Sequence, residues 1–474
     1  MSFDTVLKTS TSSLLLLFAV FNPLVATGQS VDTLRVSVQG AIEMALEVSP
    51  EVAERSAKTE FASARAAQAR ATRFLSEFSL TTAHAAAPGL TNPNGVDTDQ
   101  LYLDPDVRND WTTFRPFTQA EATVIQPLFT WGELSSSISA AESAVRLEQA
   151  STNEKATEVA ARTAVLYYDL LLTDALRRLT TEAGSIVNQA ISEIRRLLDE
   201  GAEGVDDADL FQVLITEQEF NRRVVEVDEK RTTARAALRR QLFLPDEIVV
   251  EARDDVLEMI PFELDSLDAY QDYARVHRPE LAQGEAGLAA RSALVSVARS
   301  NLYPKLFAGA TYSVAYTSGR YRQPNPFIGD RLRGQTFEAG VGLRQNLNFA
   351  QTKAKIRQAE AERDQVRYQL DAGRQLILFE VEKAYRDVRV ARSAVLAQEE
   401  ALRLSREWLQ TETINFDLDL GDTENLVKAV QANLNLQATT HEAVRNFNVS
   451  VIELLKSTGM LIAAMTNGTL VDQQ

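Results

Sequence analysis

The sequence predicts a mainly α-helical chain with a minor β part, built from one helix–strand–strand–long-helix–return-helix unit used twice. Three observations predict it. About seventy residues pass without a helix breaker, four segments alternate with a two-residue period, and both features recur at a near-constant spacing. The breaker-free stretch runs from Trp131 to Glu200, with no proline and, after Gly132, a single interior glycine, Gly184. At 1.5 Å of rise per residue, a helix of that length reaches about 100 Å. Its stripe Leu176, Leu179, Ala183, Ile186, Ala190, Ile194, Leu197 keeps a 3/4 step. Such a stripe needs partner helices along its whole length.

Composition narrows the class. Aromatic content is 7 % and charged content 24 %, which favours long solvated helices over a thick globular core. The net charge of −17 argues against a nucleic-acid partner. It is compatible with plain solubility or with an acidic functional surface. There is no cysteine, which excludes disulfides, thiolate metal sites, thiol nucleophiles and lipid attachment at a Cys. Lys8, the apolar run Ser13–Phe21 and the small-x-small site Ala26-Thr27-Gly28 predict a signal peptide over residues 1–28. No later stretch is long and apolar enough for a transmembrane helix, so export without a helical anchor is expected.

Taken in order, the first repeat is expected over 29–245. Leu34 to Ala71 is helical in pattern, and strands follow at about 74–84 and 117–126. Between the strands, Pro88 to Asp110 reads as an exposed loop. The long helix then spans 131–200, Gly201 and Gly204 turn the chain, and a return helix covers 206–244. Residues 246–265 read as a linker. The second repeat, 266–460, opens with a helical segment from Ser266 to Asn301. Strands at about 303–316 and 335–346 flank the loop Thr317–Gly334, which is rich in Gly, Pro, Asn and Arg. A long helix at 351–417 carries the seam Ile377, Val381, Ala384, Val388, Ala391, Val395, whose steps of 4 and 3 are a heptad pattern. The next seam position is polar, Gln398, and Leu402 resumes the stripe. Gly421-Asp422 turns the chain into a return helix over 422–460, and 461–474 remain as a C-terminal tail. Pro50 aligns with Pro279, Gln126 with Gln345, Tyr167 with Tyr385, Asp169 with Asp387, and Leu210 with Leu426. The halves therefore differ only in loop length, as an internal duplication requires.

The strands carry the functional reading. Each alternates an apolar face with a small or polar one, as the wall of an outer-membrane barrel does. Four strands cannot close a barrel, and lipid does not tolerate an open edge. Three chains would supply twelve strands, with their helices continuing the tube. Glu121, Glu338 and Arg344 fall on the polar face and are the candidate lumen residues, since charge there tunes selectivity. Tyr167 and Tyr385 occupy matching positions on the long helices and read as packing residues. His84, His277 and His441 are scattered, and no phosphate-binding loop or nucleophile motif appears, so no enzyme, cofactor or metal site is expected.

The duplicated layout, the strand end Gln126-Pro127-Leu128-Phe129, the helix containing Arg278-Pro279-Glu280-Leu281 and the strand entry Leu302-Tyr303-Pro304 resemble the TolC-like outer-membrane efflux protein family over nearly the whole exported chain. The resemblance implies a homotrimeric twelve-stranded β-barrel continued by a long α-helical tunnel. It implies an exit duct in the outer membrane for a tripartite efflux pump or a type I secretion system. The implied partners are a periplasmic adaptor (membrane fusion) protein, an inner-membrane transporter and outer-membrane lipid. In that family, acidic residues near the second hairpin form an entrance ring with the pattern Asp-Val-Leu-Asp-Ala. This chain reads Asn425-Leu426-Val427-Lys428-Ala429, so both carboxylates are replaced. Asp422 and Glu424, or Asp206, Asp207 and Asp209 of the first hairpin, are the remaining acidic candidates. Their plain reading is charge at a helix N-terminus, worth about 0.3–1 kcal/mol. Gly201, Gly204 and Gly421 mark the hairpin tips where an adaptor would dock. A soluble periplasmic coiled-coil scaffold is the alternative.

Overall fold

The computed structural model of the protein describes residues 33–74, 76–91, 108–200, 207–320, 329–418 and 423–466. The expected signal peptide and the turn residues Gly201, Gly204, Asp206, Gly421 and Asp422 lie outside the described residues.

The first half opens with β1 (Thr33–Val36), α1 (Val38–Val48) and α2 (Pro50–Ala71), then β2 (Glu77–Thr91), β3 (Arg108–Phe129), α3 (Glu133–Asp199) and α4 (Asp207–Gln241). A short strand, β4 (Val249–Ala252), precedes the second half. There α5 (Leu267–His277) and α6 (Pro279–Ser300) lead to β5 (Lys305–Thr317) and β6 (Gly334–Arg344). They are followed by α7 (Phe349–Asp417), α8 (Thr423–Ser457) and α9 (Leu461–Thr466). The order helix, helix, strand, strand, long helix, return helix thus occurs twice. At 67 and 69 residues, α3 and α7 are each about 100 Å long.

Several local expectations are corrected. The helix expected over Leu34–Ala71 is a strand and two helices. Ser37 caps α1 by accepting from the Gly40 amide at 3.1 Å. The break at Ser49 follows from Pro50, because the residue before proline is pushed out of the helical region. The second half repeats this break at Arg278, whose ψ is 117° ahead of Pro279. Arg278 is held by Glu280 at 2.8 Å and Glu380 at 2.6 Å. The expected linker contains β4, which pairs in parallel with β1 from Thr33↔Val249 to Val36↔Ala252. The expected tail contains α9, whose Leu461 and Met465 are buried. Gly459 (φ +74°) makes the reversal into α9, and a Cβ there would stand 2.4 Å from the His277 carbonyl oxygen. The strands β2 and β3 also run further than expected, into the segment read as the loop Pro88–Asp110.

The helices pack as the apolar stripes require. Val381, Val388 and Val395 of the α7 seam are at most 1 % exposed, with Ile377 and Leu402 buried beside them. They meet α8 through Val444, Phe447, Val451 and Leu454. The polar seam residue Gln398 accepts from Thr439 Oγ1 at 3.2 Å. One layer further along, buried Asn433 donates to buried Ser405 at 2.9 Å. Such polar layers set helix register at some cost in stability. Tyr167 is fully buried and donates its hydroxyl to Asp254 Oδ2 at 2.6 Å. Burial, reinforced by that carboxylate, pushes the phenol far above its usual range. Tyr385 packs beside Tyr270 with ring centroids 6.0 Å apart. Both tyrosines therefore act in packing, one pinning the β4 segment to α3.

Candidate channel wall and hairpin ends

The four long strands form one antiparallel sheet in the order β2-β3-β5-β6. Cross-strand partners share a face, so the register assigns each side of the sheet. One row joins Thr81, Glu121, Ser313 and Thr336, and the next joins Ser79, Thr123, Thr311 and Glu338. Gln119 on this face donates to Ser313 Oγ at 3.3 Å. The opposite face carries Phe78, Leu80, Phe114, Tyr312, Val314, Tyr316, Phe337, Val341 and Leu343, all exposed. Phe78, Leu80 and Phe337 reach 70–71 % exposure. Apolar side chains this open to solvent on a continuous face demand an apolar neighbour.

The dimensions fit a bilayer. Ten residue steps separate Leu306 from Tyr316 along β5, about 34 Å of strand. At a tilt of about 40° that spans about 26 Å vertically, close to the height of an outer-membrane apolar band. At the lower end, Phe129 meets Trp131 edge-on at 5.0 Å, and Trp131 stacks on Tyr303 at 4.8 Å. The Trp131 indole donates to the Pro304 carbonyl at 2.7 Å. The left-handed pair Trp131 (φ 53°) and Gly132 (φ 82°) turns the chain from sheet into α3.

The register places all three expected lumen residues on the polar face. Glu121 and Glu338 lie in adjacent rows, Glu121 partly buried and Glu338 exposed. Arg344 pairs opposite Lys305 at the helix end of the sheet. Like charges in that position repel. Lys305 is offset by Glu133 at 2.5 Å, and the Arg344 guanidinium lies 5.5 Å from the Phe307 ring centroid. Gly342 makes room for that ring, since a Cβ there would meet it at 2.5 Å.

Sequence reasoning missed the device at the far end of the sheet. Arg320, 5 % exposed, binds Asp330 through Nε at 2.6 Å and Nη2 at 3.2 Å. It also donates to the Pro88 and Gly89 carbonyls at 3.1 and 3.0 Å and to Asn109 Oδ1 at 3.0 Å. One guanidinium thereby ties the ends of β2, β3 and β5 together. In sequence it is one of several arginines in a polar loop, with nothing local to single it out.

At the other end of the molecule stand the helix hairpins. Asp207 is exposed at the start of α4, and Asp209 follows in the same turn, its side chain outside the described residues. Glu424 and Asn425 are exposed in the first turn of α8, and Lys428 pairs with Glu424 across one turn. Lys428 thus compensates the carboxylate of the first turn of α8. Above these tips the two hairpins are bridged by Gln431 to Thr216 at 3.2 Å and by Arg445 to Asp169 at 2.7 Å. Between them lies a cavity of about 1080 Å³ bordered by Leu179, Val187, Phe220, Leu409 and Phe416. Among the described residues, no cluster of His, Asp or Glu could hold a metal ion, and no helix is long and apolar enough to cross a membrane.

A sheet that is apolar outside, polar inside, open at β2 and β6 and continued by helices of about 100 Å is one segment of the wall of an oligomeric membrane channel. The chain belongs to the outer membrane efflux protein family, whose model matches residues 41–242 and 271–459. Among curated proteins, no sequence matches this chain. Solved structures with the same fold include the outer-membrane channel OprN at 16 % identity, with 89 % of each chain covered and a TM-score of 0.70. The Campylobacter jejuni CmeC channel matches at 13 % identity, covering 92 % of this chain and 90 % of its own, with a TM-score of 0.68. VceC from Vibrio cholerae matches at 17 % identity, covering 89 % and 96 %, with a TM-score of 0.69. The family's fold is a trimeric barrel continued by a helical tunnel. The protein is accordingly a passive outer-membrane efflux channel with its helices in the periplasm, and not an enzyme.

Proposed function

We propose that three copies join β6 of one protomer to β2 of the next, and that the resulting duct serves a tripartite efflux pump or a type I secretion system. Cargo enters between the α3/α4 and α7/α8 hairpins and leaves through the barrel. A periplasmic adaptor docks at the hairpin ends around Gly201, Gly204, Asp206, Asp207, Asp209, Gly421, Asp422, Glu424, Asn425 and Lys428, and an inner-membrane transporter supplies the energy. Glu121 and Glu338 line the barrel lumen and favour cationic cargo, while Arg344 sets a basic level where the barrel meets the tunnel. The observation that carries this reading is the sheet itself, with one face apolar and exposed and, among the described residues, two edges unpaired within the protomer. Light scattering in detergent should give a trimer mass, and planar bilayers should then show discrete conductance steps. A monomer that stays soluble without detergent would refute the duct and leave a periplasmic scaffold.

A further inference from the structure

The acidic net charge of the chain, −17, is not shared by the region where sheet gives way to tunnel. From Arg344 to Arg357 there are four cations, Arg344, Lys353, Lys355 and Arg357, and no acidic residue. Three of them occupy the opening turns of α7, which has no acid in its first turn. Lys353, Lys355 and Arg357 are all exposed, and none has a carboxylate partner among the described residues. Further along α7, Glu360 pairs with Arg299 and Glu362 with Arg291, and basic and acidic residues alternate, whereas no acidic residue lies between Arg344 and Arg357. A run of exposed cations with no acidic residue beside it is electrostatically complementary to an external anion.

Position identifies that anion. The apolar band ends at the row of Phe129, Leu306 and Leu343, and an exposed aromatic rim of Phe129, Trp131, Tyr303 and Phe349 follows at once. Aromatic side chains of this kind sit at the edge of the hydrocarbon layer. Lys353 and Arg357 stand four and eight residues beyond Phe349, about 6 and 12 Å along the helix. The headgroup zone of one leaflet is about 6 Å thick, and long basic side chains extend back toward it along apolar surface.

We propose that the opening turns of α7, with the aromatic rim above them, form a binding surface for anionic glycerophospholipid headgroups of the periplasmic leaflet. The proposal rests on the channel reading, which sets the rim at the membrane edge. Lys353 and Arg357, one turn apart on the same side of α7, contact the phosphodiesters, Lys355 adds its charge from the adjoining side, and the rim fixes the depth of the barrel. In the trimer this surface repeats three times and forms a basic collar.

The test uses full-length trimers in neutral detergent, titrated with phosphatidylglycerol or phosphatidylcholine and read by native mass spectrometry. Wild type should retain phosphatidylglycerol in preference to phosphatidylcholine. A basic residue near an anionic surface is worth about fivefold in binding. K353Q/K355Q/R357Q should therefore bind phosphatidylglycerol at least about tenfold more weakly, while phosphatidylcholine binding stays the same. K383Q, remote from the rim, should behave as wild type. Equal retention of both lipids by wild type, unchanged binding by the triple variant, or preference for lipopolysaccharide over phosphatidylglycerol would overturn the proposal. Trimer mass and conductance are recorded on the same preparations. A normal trimer without lipid selectivity defeats only the collar, whereas the absence of a trimer defeats the channel.

Discussion

Replacing Arg320 with methionine tests whether the buried guanidinium holds the outer end of the sheet together. Methionine keeps the apolar stem and removes every donor. Asp330, 12 % exposed, loses its only charge partner among the described residues, and the Pro88 and Gly89 carbonyls and Asn109 each lose a hydrogen bond. Removing one member of a buried pair costs about 3–5 kcal/mol. Asp330 lies near enough to the surface to regain some water, which favours the lower end, about 3 kcal/mol. Local opening should then become about a hundredfold more frequent. The reporters are backbone amides whose bonds depend on this end of the sheet. Ser318 donates to the Pro116 carbonyl at 2.9 Å, Leu332 to Asp330 Oδ1 at 3.0 Å, and Arg333 to the Asp330 carbonyl at 3.3 Å. Hydrogen exchange followed by mass spectrometry on the detergent-solubilised trimer should show these amides exchanging about a hundredfold faster, with α3 and α7 unchanged. The double variant Arg320→Met/Asp330→Leu should recover much of the protection, because no stranded charge remains. Exchange in the single variant within threefold of wild type would refute the reasoning, as would a double variant no better than the single.

Two further outcomes are expected. Tyr312→Arg places a cation at mid-height on the apolar face and should cost about 2–4 kcal/mol in urea titrations of vesicle-inserted protein; Thr311→Arg, one residue away on the polar face, should cost less than about 1 kcal/mol, and equal losses would mean the faces do not separate lipid from lumen. His441 has its imidazole pKa lowered by burial and then by the Arg178 guanidinium, so its contribution to stability is complete above the unfolded value of 6.5 and declines as pH falls below it toward the folded value. Thermal stability should therefore fall between pH 7.5 and 5.5, and His441→Gln should flatten that decline; an unchanged slope would remove His441 from the account.

Much of this architecture was legible in the chain. The seam of α7 is written as 4 and 3 steps from Ile377 to Val395, and those valines are the buried ones. The alternation around Glu121 and Glu338 is written as a period of two, and the register keeps both residues on one face. What was not legible depended on distant partners. Ser49-Pro50 and Arg278-Pro279 were read as aligned landmarks inside continuous helices, although the proline rule already required a break before each. The short strands Thr33–Val36 and Val249–Ala252 were absorbed into a helix and a linker, because four-residue segments carry no usable period and pair only with each other. The entrance carboxylates were sought near Asn425 and Lys428, and the ion pair of Lys428 with Glu424 is the kind of contact that one-turn spacing does announce.

By itself the sequence determined the local periods, the duplication, the apolar and polar faces of each strand and the resemblance that supplies the trimer. Those properties depend on residues two, three or four apart, or on two halves of similar pattern. Only the tertiary structure decided that Arg320 is a buried clamp, reaching a carbonyl 232 residues away, and that Tyr167 pins the β4 segment through Asp254. It alone decided which strand neighbours which in the order β2-β3-β5-β6. No local period encodes such contacts. They form because closing the sheet and bundling the helices bring distant polar groups out of water together, where each must find a partner.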